Sequence, residues 1–245
     1  MKVSVACRPH FLTNIKMNSD SSTSDTGHKA SAVFDFIVYE VKETLALITI
    51  NRPEKHNAIS LQTLSELQTA VGLAAADEAV RVVAITGAGG RSFASGSDLN
   101  EVMHRDLKKA LEPIVQGLAQ QLEELPKSTI AAIDGICMGG GLEIALGCDM
   151  RICAKGSRFG TPEGKLGIIP GGGATVRLPR IVGRGWAMEM MLMGEPISAE
   201  QALQIGLVTC VTETDNLMTE LERRAAHLAT FCLLYTSDAA DEEDS

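Results

Sequence analysis

The chain has 245 residues, 45% of them hydrophobic and 22% charged, and a formal net charge of −9. That length supports one substantial core, and the lack of clustered Lys and Arg speaks against a nucleic-acid surface. No apolar run reaches the ~18 residues of a membrane span, and the five histidines show neither HExxH nor another metal-ligand spacing. Six scattered cysteines (Cys7, Cys137, Cys148, Cys153, Cys210 and Cys232) include no CxxC pair. They read as buried free thiols, in keeping with a reducing compartment.

Residues 1–31 are polar and irregular, and the run NSDSSTSDTGHK reads as a disordered extension. Lys2, Arg8 and Lys16, with no acid among the first sixteen residues, leave an organelle leader open. Order is expected from Ala32. VFDFIVYEV and TLALITI read as two strands joined at Lys42–Glu43, the second ended by Asn51-Arg52-Pro53. Ser60 is placed to cap a helix running to about Ala75, with Leu61, Leu64, Leu67 and Val71 on its apolar face. VRVVAITG is near-continuously apolar, as expected of a strand covered on both faces. A loop with Gly87, Gly89 and Gly90 follows, then FASGSD at Phe93–Asp98.

A helical region begins at Leu99–Met103, and Leu107–Leu125 reads as a long helix entered or interrupted at Pro113 and ended by Pro126. Met150–Ala154 is the next short strand after Ile130–Ile133, and Phe159–Ile169 reads as extended or looped. Gly171–Gly173 leads into Ala174–Leu178; Pro179 then separates this from a helix at Gly185–Met193. Trp186 and the Met188–Met193 group are read as core or interface packing. Ser198 caps Ala199–Ile205 with Gln201 in capping-box position, Val208–Val211 is a strand, and Asp215 is placed to cap Asn216–Thr230. The last segment, residues 232–245, carries five acids in its final eight residues. It reads as a disordered acidic tail or as sequence foreign to the protein. Alternating strands and helices argue for α/β, with several units reading β-β-α.

The densest chemistry lies between Thr129 and Gly173. An apolar strand leads through a short turn to Gly139–Gly141 and on to a helix at Leu142–Leu146. Glycines between a strand and a helix let backbone N–H groups face a cavity, and the first helical turn adds partial positive charge. The result is an anion or oxyanion site, or simply a helix packed tightly on a strand. It is neither a phosphate loop of GxxxxGK[ST] type nor a GxGxxG dinucleotide fingerprint. Glu143 and Glu163 flank the cluster.

Five stretches in collinear order now carry a resemblance: NRPEKHNAI, SFASGSDL, AIDGICMGGGLEIALGCDMRI, FGTPEGKLGIIPGGGATVRLPR and GEPISAEQALQIGLV. From about Phe34 to Leu228 the chain resembles the enoyl-CoA hydratase/isomerase (crotonase) family. The resemblance implies an α/β fold, a spiral of β-β-α units at residues 32–196, with a shortened helical C-terminal region at residues 197–231. It implies that the backbone N–H groups of Ser97 and Gly140 hold a thioester oxygen. Glu143 and Glu163 would hold a water, with Glu163 as the main acid/base at the α-carbon and Glu143 orienting and activating that water. Ser95 through its carbonyl and Ala58 are implied near the CoA adenine. Lys55 and His56 would approach the phosphates or stand as solvated loop charges.

By the same resemblance no metal or separate cofactor is required, since coenzyme A arrives as part of an acyl-CoA substrate. The acyl pocket is expected around Met103–Leu118. A homotrimer or dimer of trimers is implied, with no nucleic-acid or membrane partner, in the cytoplasm or alternatively the mitochondrial matrix. Both glutamates together favour hydration of a trans-2-enoyl-CoA. The alternatives are a Δ3-Δ2 enoyl-CoA isomerase, a dehydratase of a specialised acyl-CoA, or an inert truncated subunit.

Overall fold

The computed structural model describes residues 34–98, 101 and 114–231. The readings made for residues 1–31, for 232–245, and for most of the segment from Leu99 to Pro113 lie outside them.

Among the described residues ten strands form two sheets. In the larger, β1 (Ile37–Lys42) pairs antiparallel with β2 (Leu45–Ile50). Lys42 faces Leu45, so the two-residue turn is Glu43–Thr44, one position later than expected, with Glu43 at φ 52. From β2 onward every pairing is parallel: β3 (Val82–Gly87), β5 (Ser128–Ile133), β7 (Met150–Ala154) and β10 (Cys210–Thr212), in spatial order 1-2-3-5-7-10. The last strand sits two residues later than expected at its start. The smaller sheet sets β4 (Ser92–Ala94), β6 (Ile136–Met138) and β8 (Arg158–Gly160) in parallel, with β9 (Ile197–Ser198) antiparallel at its edge.

From β3 to β8 the chain therefore alternates, one strand to the large sheet and the next to the small one. After β5–β6 comes helix α3 (Gly140–Gly147), and after β7–β8 comes α4 (Ala174–Met193). This is the β-β-α spiral expected of the sequence. The apolar strands are buried on both faces because two cores press on the large sheet. On one side Ile48, Ile85, Ala131 and Ile133 meet Leu64 and Leu67 of α1 (Leu61–Ala76) and Leu118 of α2 (Ile114–Glu123). On the other, Leu47, Ala84, Ile130 and Ile152 are covered by Leu217, Leu221 and Ala225 of the last helix, which follows the short α5 (Ala199–Gln204). That last helix, α6, is Leu217–Phe231.

Two caps are as expected: Ser60 Oγ accepts from Thr63 N at 3.1 Å, and Ser198 Oγ accepts from Gln201 N at 3.2 Å. Three expectations are corrected. Leu61 is 42% exposed; it is the first residue of α1, and the buried stripe begins a turn later at Leu64. Asp215 lies within a 3-10 turn, Thr214–Asn216, so the helix proper starts after it, at Leu217. Pro179 does not separate two helices. It is the sixth residue of α4, past the first turn, so it leaves the carbonyl of Thr175 without its i→i−4 donor while the helix runs on, and the break falls at Gly183, φ 78 and ψ 159. Of Trp186 and the methionines, Met190 alone is fully buried, while Met188 and Met193 stay on the open side.

Candidate active site

Because β4, β6 and β8 are parallel neighbours, their C-terminal ends lie side by side. The loops leaving those ends carry Ser95–Ser97, Gly139–Gly140 and Thr161–Glu163. Three sequence segments about twenty to forty residues apart thus converge on one edge, the usual place for a site in parallel sheets.

Two backbone amides point into this edge. Gly96 O accepts from Ile59 N at 2.8 Å, and Asp98 N donates to Ile59 O at 2.8 Å, a single parallel bridge between Ile59 and Ser97. In a trans peptide the N–H points opposite to the C=O, so the Ser97 N–H is turned away from Ile59. The same reasoning holds at Gly140. Gly139 O accepts from Glu143 N at 2.9 Å, so the Gly140 N–H leaves the N-terminus of α3 outward. Among the described residues neither amide donates to a protein acceptor. The two are adjacent: a methyl group on Gly140 would stand 3.4 Å from Ser97 N. Gly139, at φ 48 and ψ −124, makes the reversal into the helix. At the helix's other end, the buried Arg151 guanidinium donates to Cys148 O (2.6 Å) and Leu207 O (2.8 Å), fixing α3 against sliding.

Both carboxyls are buried, and that of Glu163 lies over this turn. A Cβ on Gly139 would be 3.0 Å from Glu163 Oε1. Glu143 does not cap its own helix. Its Oε1 accepts from Gly172 N (2.7 Å) and Ala174 N (3.1 Å), at the start of α4. Burial pushes the Glu143 carboxyl above its ordinary range, against the pull of those amides and of Arg177. Burial, joined by repulsion from Glu143, pushes Glu163 up to about 7, although its own amide opposes the shift. Glu163 Oε2 is buried with no hydrogen-bond partner among the described residues, as is Thr161 Oγ1 nearby in sequence. One edge therefore joins two free amides to a pair of buried carboxyls, both raised above their ordinary range.

Residues 40–236 match the sequence model of the enoyl-CoA hydratase/isomerase family. The chain belongs to the enoyl-CoA hydratase/isomerase family. It is 39% identical over 197 residues to a crotonyl-CoA hydratase of Syntrophomonas wolfei, covering 80% of this chain and 76% of that one. It is 41% identical over 184 residues to a short-chain-enoyl-CoA hydratase of Clostridium acetobutylicum, covering 74% and 70%. The crystal structure of an enoyl-CoA hydratase from Bacillus anthracis superposes with a TM-score of 0.77 at 36% identity, over 80% of this chain and 77% of that chain.

Lys55 ends a short 3-10 turn, Pro53–Lys55, and is exposed; Ala58 and Ser95 are half-buried. Ser95 N donates to His56 O at 3.1 Å, so the first loop and the Ser95–Ser97 loop meet. Ala58 precedes Ile59, which bridges to Ser97, and Ser95 lies two residues before Ser97 on the facing loop.

Sequence reasoning missed the residues that hold the site. Asn57 is fully buried at φ 55. Its side chain donates to Ala88 O and Ser92 O and accepts from Arg52 N. Gly172 was read only as part of a glycine-rich entry to a helix, yet a Cβ there would collide with Glu143 Oε2 and crowd Val115 Cγ1, at 2.6 Å. Gly172→Ala is expected to displace the Glu143 carboxylate and lower kcat by about a hundredfold, with the chain still folded. Steady-state kinetics beside a circular-dichroism melt checks this, and wild-type kcat would show that Glu143 needs no such room. Among the described residues no group of three or more His, Cys, Asp or Glu is placed to hold a metal, and no helix is long and apolar enough to cross a membrane.

Proposed function

We propose that this enzyme reversibly adds water to a trans-2-enoyl-CoA, giving a 3-hydroxyacyl-CoA. The observation that carries the reading is the pairing of two buried carboxyls, the charge of Glu143 raising Glu163, with two amides that donate to no acceptor among the described residues, on one edge. The thioester oxygen takes its place between the Ser97 and Gly140 N–H groups. Water attacks the β-carbon, and its proton passes to the Glu143 carboxylate. The electron pair of the double bond moves toward the thioester oxygen, which the two amides bind more tightly as its charge grows. Glu163, held protonated near neutral pH, then delivers its proton to the α-carbon. The pair carries one proton before and after the step, so the reaction runs in either direction.

Coenzyme A enters with the substrate. Its adenine would lie by the Ser95 carbonyl and Ala58, and Lys55, on the exposed turn beside them, would meet a phosphate. A trimer, or dimer of trimers, is supported by the apolar surface on α4 and the preceding loop, where Ile169 is 81% and Leu192 72% exposed. Free buried thiols fit a cytoplasmic setting.

The test is incubation of the full chain with crotonyl-CoA. Loss of the enoyl-thioester absorbance with appearance of 3-hydroxybutyryl-CoA is expected. Conversion of a 3-enoyl-CoA to its 2-enoyl isomer without water uptake would replace hydration by isomerisation.

A further inference from the structure

Arg52 lies in the NRP turn, and nothing in the chemistry above uses it. Its side chain is only 6% exposed. Nη1 donates to Ala58 O at 2.6 Å, Nη2 meets Asp98 Oδ2 at 3.4 Å, and the guanidinium carbon stands 4.8 Å from the centre of the Phe36 ring. Its backbone N–H is taken by Asn57 Oδ1 at 2.9 Å. The two acceptors of the guanidinium are not arbitrary. Ala58 precedes Ile59, and Asp98 follows Ser97, so Arg52 spans the Ile59–Ser97 bridge.

That bridge is weak by itself. Among the described residues it is an isolated pair of backbone hydrogen bonds, with one more between the two loops from Ser95 N to His56 O at 3.1 Å, and Gly96, at φ 120, adjoins it. Rotation of the Gly96–Ser97 peptide would swing the Ser97 N–H off the substrate oxygen. A planar guanidinium with a fork of donors resists this, because it joins both sides of the bridge in one rigid group. A lysine in its place would be a point charge with no fixed plane.

We propose that Arg52 and Asp98 form a clasp that positions the Ser97 amide for the thioester oxygen, so that Arg52 is a positioning residue for the reaction. The inference rests on the hydration reading above, and deepens it at the oxyanion donor.

The experiment uses the full chain and a cinnamoyl-CoA thioester bearing a para-amino donor, whose absorbance moves to longer wavelength as its carbonyl is polarised. Wild type is expected to show that red shift at saturation. Arg52→Met and Asp98→Asn are each expected to bind the probe with Kd within about threefold of wild type. Both should lose at least about half of the red shift, and both should lower kcat on crotonyl-CoA at least about tenfold with KM little changed. Because the two side chains act as one clasp, the double variant should lose little more than either single one. A pair that served stability alone would lower the melting temperature and leave the red shift of bound probe intact. Arg52→Met removes a buried cation and could impair folding. Asp98→Asn keeps size and shape, and carries the test alone if the first does not fold. A folded Asp98→Asn variant with the wild-type red shift and kcat would overturn the clasp. Absence of any red shift in the wild type would overturn the oxyanion reading itself, and the clasp with it.

Discussion

Glu163→Gln is expected to lower kcat at least about a hundredfold while leaving thioester affinity largely intact. The amide is isosteric and keeps the shape of the site, but it has no acid proton to give to the α-carbon. Steady-state kinetics on crotonyl-CoA with a separate binding titration checks the split, and equal activity would remove Glu163 from the chemistry. The pH profile carries the same assignment. The pair must hold one proton, and burial with repulsion from Glu143 sets the release of that proton from Glu163 at about pH 7. kcat/KM is therefore expected to fall as pH rises through about 7.

Stability should move the opposite way in this variant. The folded Glu163 carboxyl binds its proton more tightly than the unfolded one, whose ordinary value is 4.5. As pH rises from there to about 7 the unfolded chain ionises first, and wild-type stability falls across that window. Glutamine cannot ionise, so Glu163→Gln is expected to be more stable than wild type above pH 7, by roughly 1–3 kcal/mol. The gap should close toward pH 4–5. Urea denaturation at two pH values measures it.

Gly140→Val should be nearly as damaging, by about a hundredfold or more in kcat, the scale of one lost oxyanion donor. A single methyl at Gly140 stands 3.0 Å from Ser97 Oγ, which can rotate away, and 3.4 Å from Ser97 N, which cannot without moving its peptide. Alanine is thus expected to cost less than valine, whose branched carbon fills the space between the two amides. Parallel kinetics on both variants gives the order; valine with wild-type turnover would remove Gly140 from the oxyanion site.

The long apolar runs made the large sheet legible. Val82–Gly87 and Met150–Ala154 needed only burial on both faces to be strands, and Ser60 announced its helix by its side chain. The small sheet was not legible, because Ser92–Ala94, Ile136–Met138 and Arg158–Gly160 are three residues each, too short for any period to show. Their signal was an apolar residue or two just before each loop of interest. Glu143 and Glu163 were recognised through the resemblance, but their environment came only with the fold. Glu143 is tied to Gly172 and Ala174, about thirty residues later, through backbone amides that no side-chain pattern reports. Arg52 and Asp98 likewise read as parts of a turn and a loop until the fold set the Arg52 guanidinium across the Ile59–Ser97 bridge, between Ala58 and Asp98.

The large sheet also works as a bulkhead between two compartments. Alternate residues of a single strand belong to different ones: Ile130 is covered by the final helix, while Ala131 faces the side that carries the reacting edge. A library of substitutions confined to Leu47, Ala84, Ile130, Ile152 and the α6 residues that cover them would tune heat tolerance with the reaction rate as an unmoved control. Paired with one on the opposite pleat, it separates how well this protein holds its shape from how well it works.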